Sequence, residues 1–246
     1  MEYQHLERQV ESSGNLDDYI TVMEHLREPT SRVLPRSLDI AACLNSANLG
    51  DDYIVFGGYG VLSHMMSAKG PHVAETWRGS NDFDIAGTEA AIRALKGNYQ
   101  IIGDRPSPNL RNKRTLILEE QDGRELKIDF YTGHFEERYF PPEINTHFGV
   151  DFRVSNPLCL IRGKLLTPSS EIVHSTDIVR LISVLEDRKY SPGDVARFFN
   201  SKQKVELDTR FMQGYSYICT HGLPVDLIPS KEFKNELHRF LHKGRI

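Results

Sequence analysis

The sequence predicts an α/β (α+β) fold: a small mixed sheet preceded by helices and followed by a helical C-terminal half. Three observations predict it. Short β-rich runs recur at 53–56, 82–86, 99–102, 114–119 and 125–131, and two of them flank a Gln121-Asp122-Gly123 turn with hairpin chemistry. Apolar residues at helical spacing dominate before residue 50 and after residue 153. The 246 residues, 39% of them hydrophobic, are enough to bury a core in one large domain or two small ones.

In chain order, Leu16, Tyr19, Val22, Met23 and Leu26 fall on one helical face behind an Asn15 cap. A second helix follows Ser37 with Leu38, Ala41 and Leu44, the Pro29 and Pro35 segment separating the two. Gly50-Asp51-Asp52 ends that helix and leads into the strand at 53–56. After Gly57-Gly58, the residues Val61, Leu62 and Met65 predict a helix to about Ala68. A polar loop over 69–81 precedes the strand at 82–86, and Thr88 caps a short helix that Gly97 stops. The three remaining strand runs come next. The stretch 135–152, rich in proline and aromatics, reads as irregular. Helices are then predicted at 157–166, 177–188, 194–199 and 230–242, the last with Phe233, Leu237, Phe240 and Leu241 on one stripe. The change of pattern places a boundary near 153, giving a core at 1–153 that includes the N-terminal helices and a helical domain at 154–246.

A net charge of −4 excludes a uniformly basic nucleic-acid binder but leaves room for a local basic patch, such as Arg111, Lys113 and Arg114 or the cations between Lys231 and Arg245. Either group could equally be a solvated face. The three cysteines, Cys43, Cys159 and Cys219, have no C-x-x-C spacing, which points away from a disulfide framework or zinc cluster and toward a reducing, cytoplasmic setting. No apolar run is long enough for a membrane span, and the polar first residues give no export signal. The ten histidines show no metal-ligand spacing, and His64, His174 and His238 read as helix-surface or core-edge residues.

The chemistry concentrates between Gly57 and Ile85. On the strand at 82–86, Asp82 and Asp84 share one face while Phe83 and Ile85 point the other way, into the core. Two carboxylates on one face repel unless a cation lies between them, and magnesium, hard and oxygen-seeking, suits such donors and keeps positions open for phosphate oxygens. On the last strand Leu126, Ile128 and Phe130 form the apolar face, so Asp129 is a third candidate; three carboxylates suit metal-assisted phosphoryl chemistry. The Gly57-Gly58 pair permits close backbone approach to a phosphate at the start of a helix, although it is neither a P-loop nor a dinucleotide fingerprint. Against this stand plainer readings: a D-x-D pair as a solvated strand edge, Asp129 as the polar side of an exposed hairpin, and Trp77 as a loop anchor rather than a base-stacking ring.

The order of glycine turn, helix, D-x-D strand and later acidic strand resembles the DNA polymerase beta-like nucleotidyltransferase superfamily. Within it, Arg78-x-Ser80-x-Asp82-x-Asp84 resembles the R-x-S-x-D-x-D run of AbiEii-type nucleotidyltransferases, the toxins of certain toxin–antitoxin and phage-defence systems that include the MenT toxins. The resemblance covers about 53–185. It implies phosphate contacts at Gly57, Gly58 and Ser80, metal ligation by Asp82 and Asp84, and a metal or base role for Asp129. It further implies Lys164 on the triphosphate, with Asp177 holding the nucleotide or Lys164. Arg78 is open between a phosphate contact and a structural pairing with Asp82. The chain departs from the pattern at Tyr59, where a small or hydroxylated residue is common, and at Arg180, where a second aspartate often stands. The implied activity is transfer of a nucleoside monophosphate from a nucleoside triphosphate, such as ATP, to an acceptor hydroxyl, using Mg2+ or Mn2+ and releasing pyrophosphate. A tRNA 3′ end is the favoured acceptor and an antitoxin protein the implied partner. Protein or small-molecule acceptors, or an inactive nucleotide-binding module, are the alternatives.

Overall fold

The computed structural model describes residues 3–77, 79–80, 82–120, 123–132, 141–167, 172–222 and 227–242. The chain divides into two compact units, one of residues 1–67 and 71–155 and the other of 68–70 and 156–246.

The first unit is a mixed seven-stranded sheet with helices. Its strands are β1 (Tyr53–Val55), β2 (Asp82–Gly87), β3 (Ile101–Pro106), β4 (Lys113–Glu119), β5 (Glu125–Thr132), β6 (Glu143–His147) and β7 (Val150–Val154), in the spatial order β3-β4-β5-β2-β1-β7-β6. β2 lies parallel to β5 and antiparallel to β1, so the central strands are β5, β2 and β1. Period-2 alternation buries Phe83, Ile85, Leu126, Ile128 and Phe130 completely on one side of β2 and β5, each burial contributing ~2–3 kcal/mol.

Its helices are α1 (Gln4–Ser13), α2 (Leu16–His25), α3 (Thr30–Ser46), α4 (Gly57–Lys69, whose last two residues belong to the second unit) and α5 (Glu89–Asn98). α5 starts on the Thr88 cap, whose hydroxyl accepts from Ala91 N–H, and continues through Gly97 to Asn98. Three expectations need correction. The N-terminal region holds an additional helix, α1, whose first turn is capped from a distance: Asp39 Oδ1 accepts from the N–H groups of His5 and Leu6 at 2.9 Å each. Pro35 lies inside α3 and does not separate two helices; complete or near-complete burial of Val33, Leu34, Leu38, Ala41 and Leu44 outweighs the ~3 kcal/mol a helix-interior proline costs. The segment read as irregular contains the β6–β7 hairpin, whose Phe148-Gly149 corner has φ of 52° and 82°, the pattern of a primed turn.

The second unit is helical in its described residues: α6 (Pro157–Leu166), α7 (Ile172–Asp187), α8 (Pro192–Arg197), α9 (Ser201–Thr220) and α10 (Lys231–His242). α9, at 20 residues, is absent from the sequence reading. It opens with a reciprocal capping box between Asn200 and Gln203 and packs closely on α7 at Gly214, where a Cβ would stand 2.3 Å from the Ser175 carbonyl oxygen. α10 buries Phe233, Leu237 and Leu241 against α8 and α9, while Phe240 stays 36% exposed. Among the described residues no helix is long and apolar enough to cross a membrane.

Candidate functional site

The parallel register of β2 and β5 sets Asp84 opposite Asp129, and period-2 alternation puts Asp82 on the same face. Carboxylate oxygens of Asp82, Asp84 and Asp129 lie within 4.8 Å of one another, each residue being half-buried. These are hard oxygen donors in a set small enough for one ion to bridge, so their chemistry fits magnesium or manganese.

Gly57 explains why a glycine stands at the start of α4. Its φ is +64°, a conformation L side chains rarely adopt, and a Cβ there would fall 1.9 Å from Asp84 Oδ2 and 2.7 Å from Asp84 Cγ. The first turn of α4, at the positive end of the helix dipole, is therefore packed closely on Asp84 of the carboxylate cluster. The chain reaches this point through the β1–β2 ladder, which ends with Phe56 N–H donating to the Asp84 carbonyl at 3.1 Å. Ser80 Oγ donates to Asp82 Oδ1 at 2.7 Å, which joins the serine of the Arg78–Asp84 run to the cluster. Arg78 lies outside the described residues. Trp77 is buried, 8% exposed, as a loop anchor would be.

β4 contributes residues that the sequence reading did not assign to this site. Thr115 pairs with Asp129 across the β4–β5 ladder, and its hydroxyl donates to Asp129 Oδ1 at 2.7 Å. Lys113, read from sequence only as a basic surface residue, places Nζ 2.5 Å from Asp129 Oδ2 and 5.2 Å from the centre of the Tyr131 ring. Partial burial lowers the pKa of the Lys113 ammonium, but its hydrogen bonds to Asp129 and Tyr131 outweigh that and hold it above the ordinary lysine value. The Tyr131 phenol is likewise raised, by burial first and then by the charges of Asp84 and Asp129, against the pull of Lys113. The signal was available: Lys113 and Thr115 sit two apart on a strand that a short turn joins to the strand of Asp129 and Tyr131. Its neighbour Arg114 faces away and bonds Asp104 through two nitrogens, at 2.9 and 2.8 Å.

Within the second unit, Lys164 Nζ donates to Asp177 Oδ2 at 2.7 Å, and Arg180 Nη1 lies 3.6 Å from Asp177 Oδ1. Asp177 is fully buried and the Lys164 side chain is 9% exposed. Residue 180, where the resembled pattern often has an aspartate, thus supplies a cation next to Asp177.

No protein-family model matches the sequence, and no curated protein matches it. Among solved structures the chain is similar to an antigenic nucleotidyltransferase-like protein from Paracoccidioides brasiliensis, at 17% identity and a TM-score of 0.43, over 80% of this chain and 94% of that one. It is also similar to the Megavirus polyadenylate synthase, at 11% identity and a TM-score of 0.34, over 76% of this chain but 35% of the synthase.

Proposed function

We propose that the chain is a metal-dependent nucleotidyltransferase that moves a nucleoside monophosphate from a nucleoside triphosphate to an acceptor hydroxyl. The observation that carries this reading is the convergence of Asp82, Asp84 and Asp129 beside the glycine-initiated start of α4. Asp82 and Asp84 would hold Mg2+ or Mn2+; such an ion neutralises phosphate charge and makes the attacking hydroxyl more acidic. The α4 N-terminus, with Gly57 and Gly58, receives phosphate oxygens on its backbone N–H groups. Ser80 orients Asp82 through its hydrogen bond. Asp129, held by Thr115 and Lys113, either completes the metal's oxygen shell or takes the proton of the attacking hydroxyl. In the reaction the acceptor oxygen bonds to the α-phosphorus, the bond from that phosphorus to the bridging oxygen breaks, and pyrophosphate leaves.

The acceptor and partner rest on the sequence resemblance alone: a tRNA 3′ end as acceptor, and an antitoxin that restrains the activity in a toxin–antitoxin or phage-defence system. The same resemblance gives Arg78 and Lys164 contacts to the triphosphate. The test is incubation of the protein, and of an Asp82→Ala/Asp84→Ala variant, with magnesium, each α-labelled nucleoside triphosphate, total tRNA and cell protein. Label on RNA with wild type alone supports the reading and its favoured acceptor. Label on protein keeps the transferase and replaces the acceptor. Nucleotide binding without pyrophosphate release for any acceptor would leave a nucleotide-binding module in place of the enzyme.

A further inference from the structure

α9 and α10 bring together a second, chemically different donor set. His238 and His242 are one helical turn apart on α10 and project toward Asp208 on α9. His238 Nδ1 lies 2.7 Å from Asp208 Oδ1, and His242 Nε2 lies 2.8 Å from Asp208 Oδ2. The two imidazole centroids are 4.4 Å apart and the rings are nearly perpendicular. His238 stands on the helix surface, as read from the sequence, and there comes within reach of Asp208 and His242.

We propose that Asp208, His238 and His242 form a site for a divalent first-row transition ion, with zinc as the reference ligand. The donor chemistry selects it: two imidazole nitrogens and one carboxylate suit zinc, cobalt or nickel, whereas magnesium prefers oxygen alone. The geometry is close to what such an ion needs. Metal–ligand bonds of about 2.0–2.2 Å place donor atoms roughly 3.3 Å apart in a tetrahedron, and the three donors here already lie within 4.8 Å of one another. The two imidazole nitrogens meet different oxygens of the Asp208 carboxylate, at 2.7 and 2.8 Å, so a cation entering between the carboxylate and the rings takes the place of both hydrogen bonds.

Burial and exposure are divided as a loadable site requires. Asp208 is 8% exposed and held on the middle of a long helix that packs on α7 and α10, so its carboxylate is fixed. The side chains of His238 and His242 are 47% and 34% exposed, leaving a path for the ion and room for water in the remaining positions. Near the site, Lys234 lies 4.4 Å from the Tyr215 ring centre and Arg239 is paired with Glu236, so these cations have their own partners. Three protein ligands would tie α9 to α10 within the second unit, and metal binding would raise its stability by mass action.

The experiment titrates the full chain, freed of metal by chelator dialysis, with Co2+ in the presence of excess Mg2+, which occupies oxygen-only sites. The readouts are the visible d–d absorption of cobalt bound through nitrogen and its displacement by Zn2+. Wild type is expected to take up one equivalent in this mode and to melt at a higher temperature with Zn2+. His238→Gln and His242→Gln retain a hydrogen-bonding group for Asp208 but lose the imidazole. Each should weaken Co2+ binding by at least about a hundredfold, since loss of an outer-shell partner alone costs about 10–100-fold. Absence of the nitrogen-ligated spectrum in wild type, or an unchanged spectrum and affinity in both glutamine variants, would overturn the site. The wild-type spectrum and melting shift decide the question even if a variant fails to fold.

Discussion

Replacing Gly57 with alanine isolates the contact on which the proposed site depends. The added Cβ meets two separable costs. The φ of +64° is disfavoured for any L residue by roughly 1–2 kcal/mol. The atom would also fall 1.9 Å from Asp84 Oδ2, 2.7 Å from Cγ and 3.0 Å from Cβ, so the carboxylate or the start of α4 must move, at a further ~1–3 kcal/mol. The sum is about 2–5 kcal/mol. Gly14 and Gly123 serve as controls, with φ of +72° and +78° and no atom within 4 Å of the added carbon, so alanine there meets the backbone cost alone. Urea unfolding of the three variants should rank Gly57→Ala below both controls by at least ~1 kcal/mol. Because Asp84→Ala removes the two closest atoms, the Gly57→Ala/Asp84→Ala double variant should be more stable than the sum of the single effects predicts. A Gly57→Ala midpoint equal to that of the controls, or strict additivity in the double variant, would refute the packing of α4 on Asp84.

Asp82→Ala and Asp84→Ala should each abolish nucleotidyl transfer while leaving the urea midpoint near wild type, because each removes one charge from a mutually repelling group; wild-type transfer by Asp84→Ala would refute metal ligation there. Lys113→Met removes the cation bonded to Asp129, so the melting temperature without divalent ions should fall and the rise produced by Mn2+ should grow; an unchanged Mn2+ response would show that Lys113 and the ion do not compete for Asp129. Lys164→Met removes one of the two cations beside the buried Asp177 carboxylate while Arg180 remains, and should cost about 1–3 kcal/mol, as read by denaturant unfolding. Any loss of triphosphate affinity is then measured in the folded fraction, and an unchanged Michaelis constant would remove Lys164 from the nucleotide. His147 is pushed down to about 4 by burial, so the unfolded chain takes up its proton first: this contribution is complete above about pH 6.5 and is lost as pH falls toward 4, roughly 3 kcal/mol in all. Unfolding midpoints measured across that window should flatten in His147→Gln, and an unaltered pH slope would assign the acid sensitivity to other groups.

The elements legible in the sequence were those whose apolar pattern matches their burial. β2 and β5 alternate cleanly, and α6 shows both its Asn156 cap and Pro157 at its first position. The β6–β7 hairpin escaped because β6 inverts the rule: Ile144 is 68% exposed while Asn145 and His147 are buried. Those polar groups are satisfied by partners distant in sequence, Asn145 donating to Ser63 Oγ at 3.1 Å and His147 lying 2.8 Å from the same hydroxyl. α1 escaped for a related reason. It buries only Leu6 and Val10, and the carboxylate that caps it belongs to Asp39, more than thirty residues away. α9 was readable: Leu207, Phe211, Gly214 and Ile218 mark one face behind the Asn200–Gln203 box, but its polar composition masked a stripe that includes a glycine.

For the site, the sequence carried the residue types and strand sides of Asp82, Asp84 and Asp129 but not the pairing of their strands. The neighbour of β2 could have been any strand of the sheet, and only the parallel β2–β5 register sets Asp84 opposite Asp129. Strand pairing also decides the role of Lys113. Counted by composition it is one cation in a basic run with Arg111 and Arg114, suited to a phosphate backbone. Once β4 is paired with β5, the alternation of side chains sends Lys113 and Arg114 to opposite faces: one reaches Asp129 and the other Asp104. The apparent basic patch is thereby divided between two carboxylates, and the charge that looked available for RNA instead offsets repulsion inside the acidic cluster. The same reasoning applies to the two histidines of α10, which stay partly exposed but meet their partner Asp208 on a different helix. In each case the chemistry is set by which element becomes the neighbour, and that choice is made by packing of the apolar faces, not by the charged residues themselves.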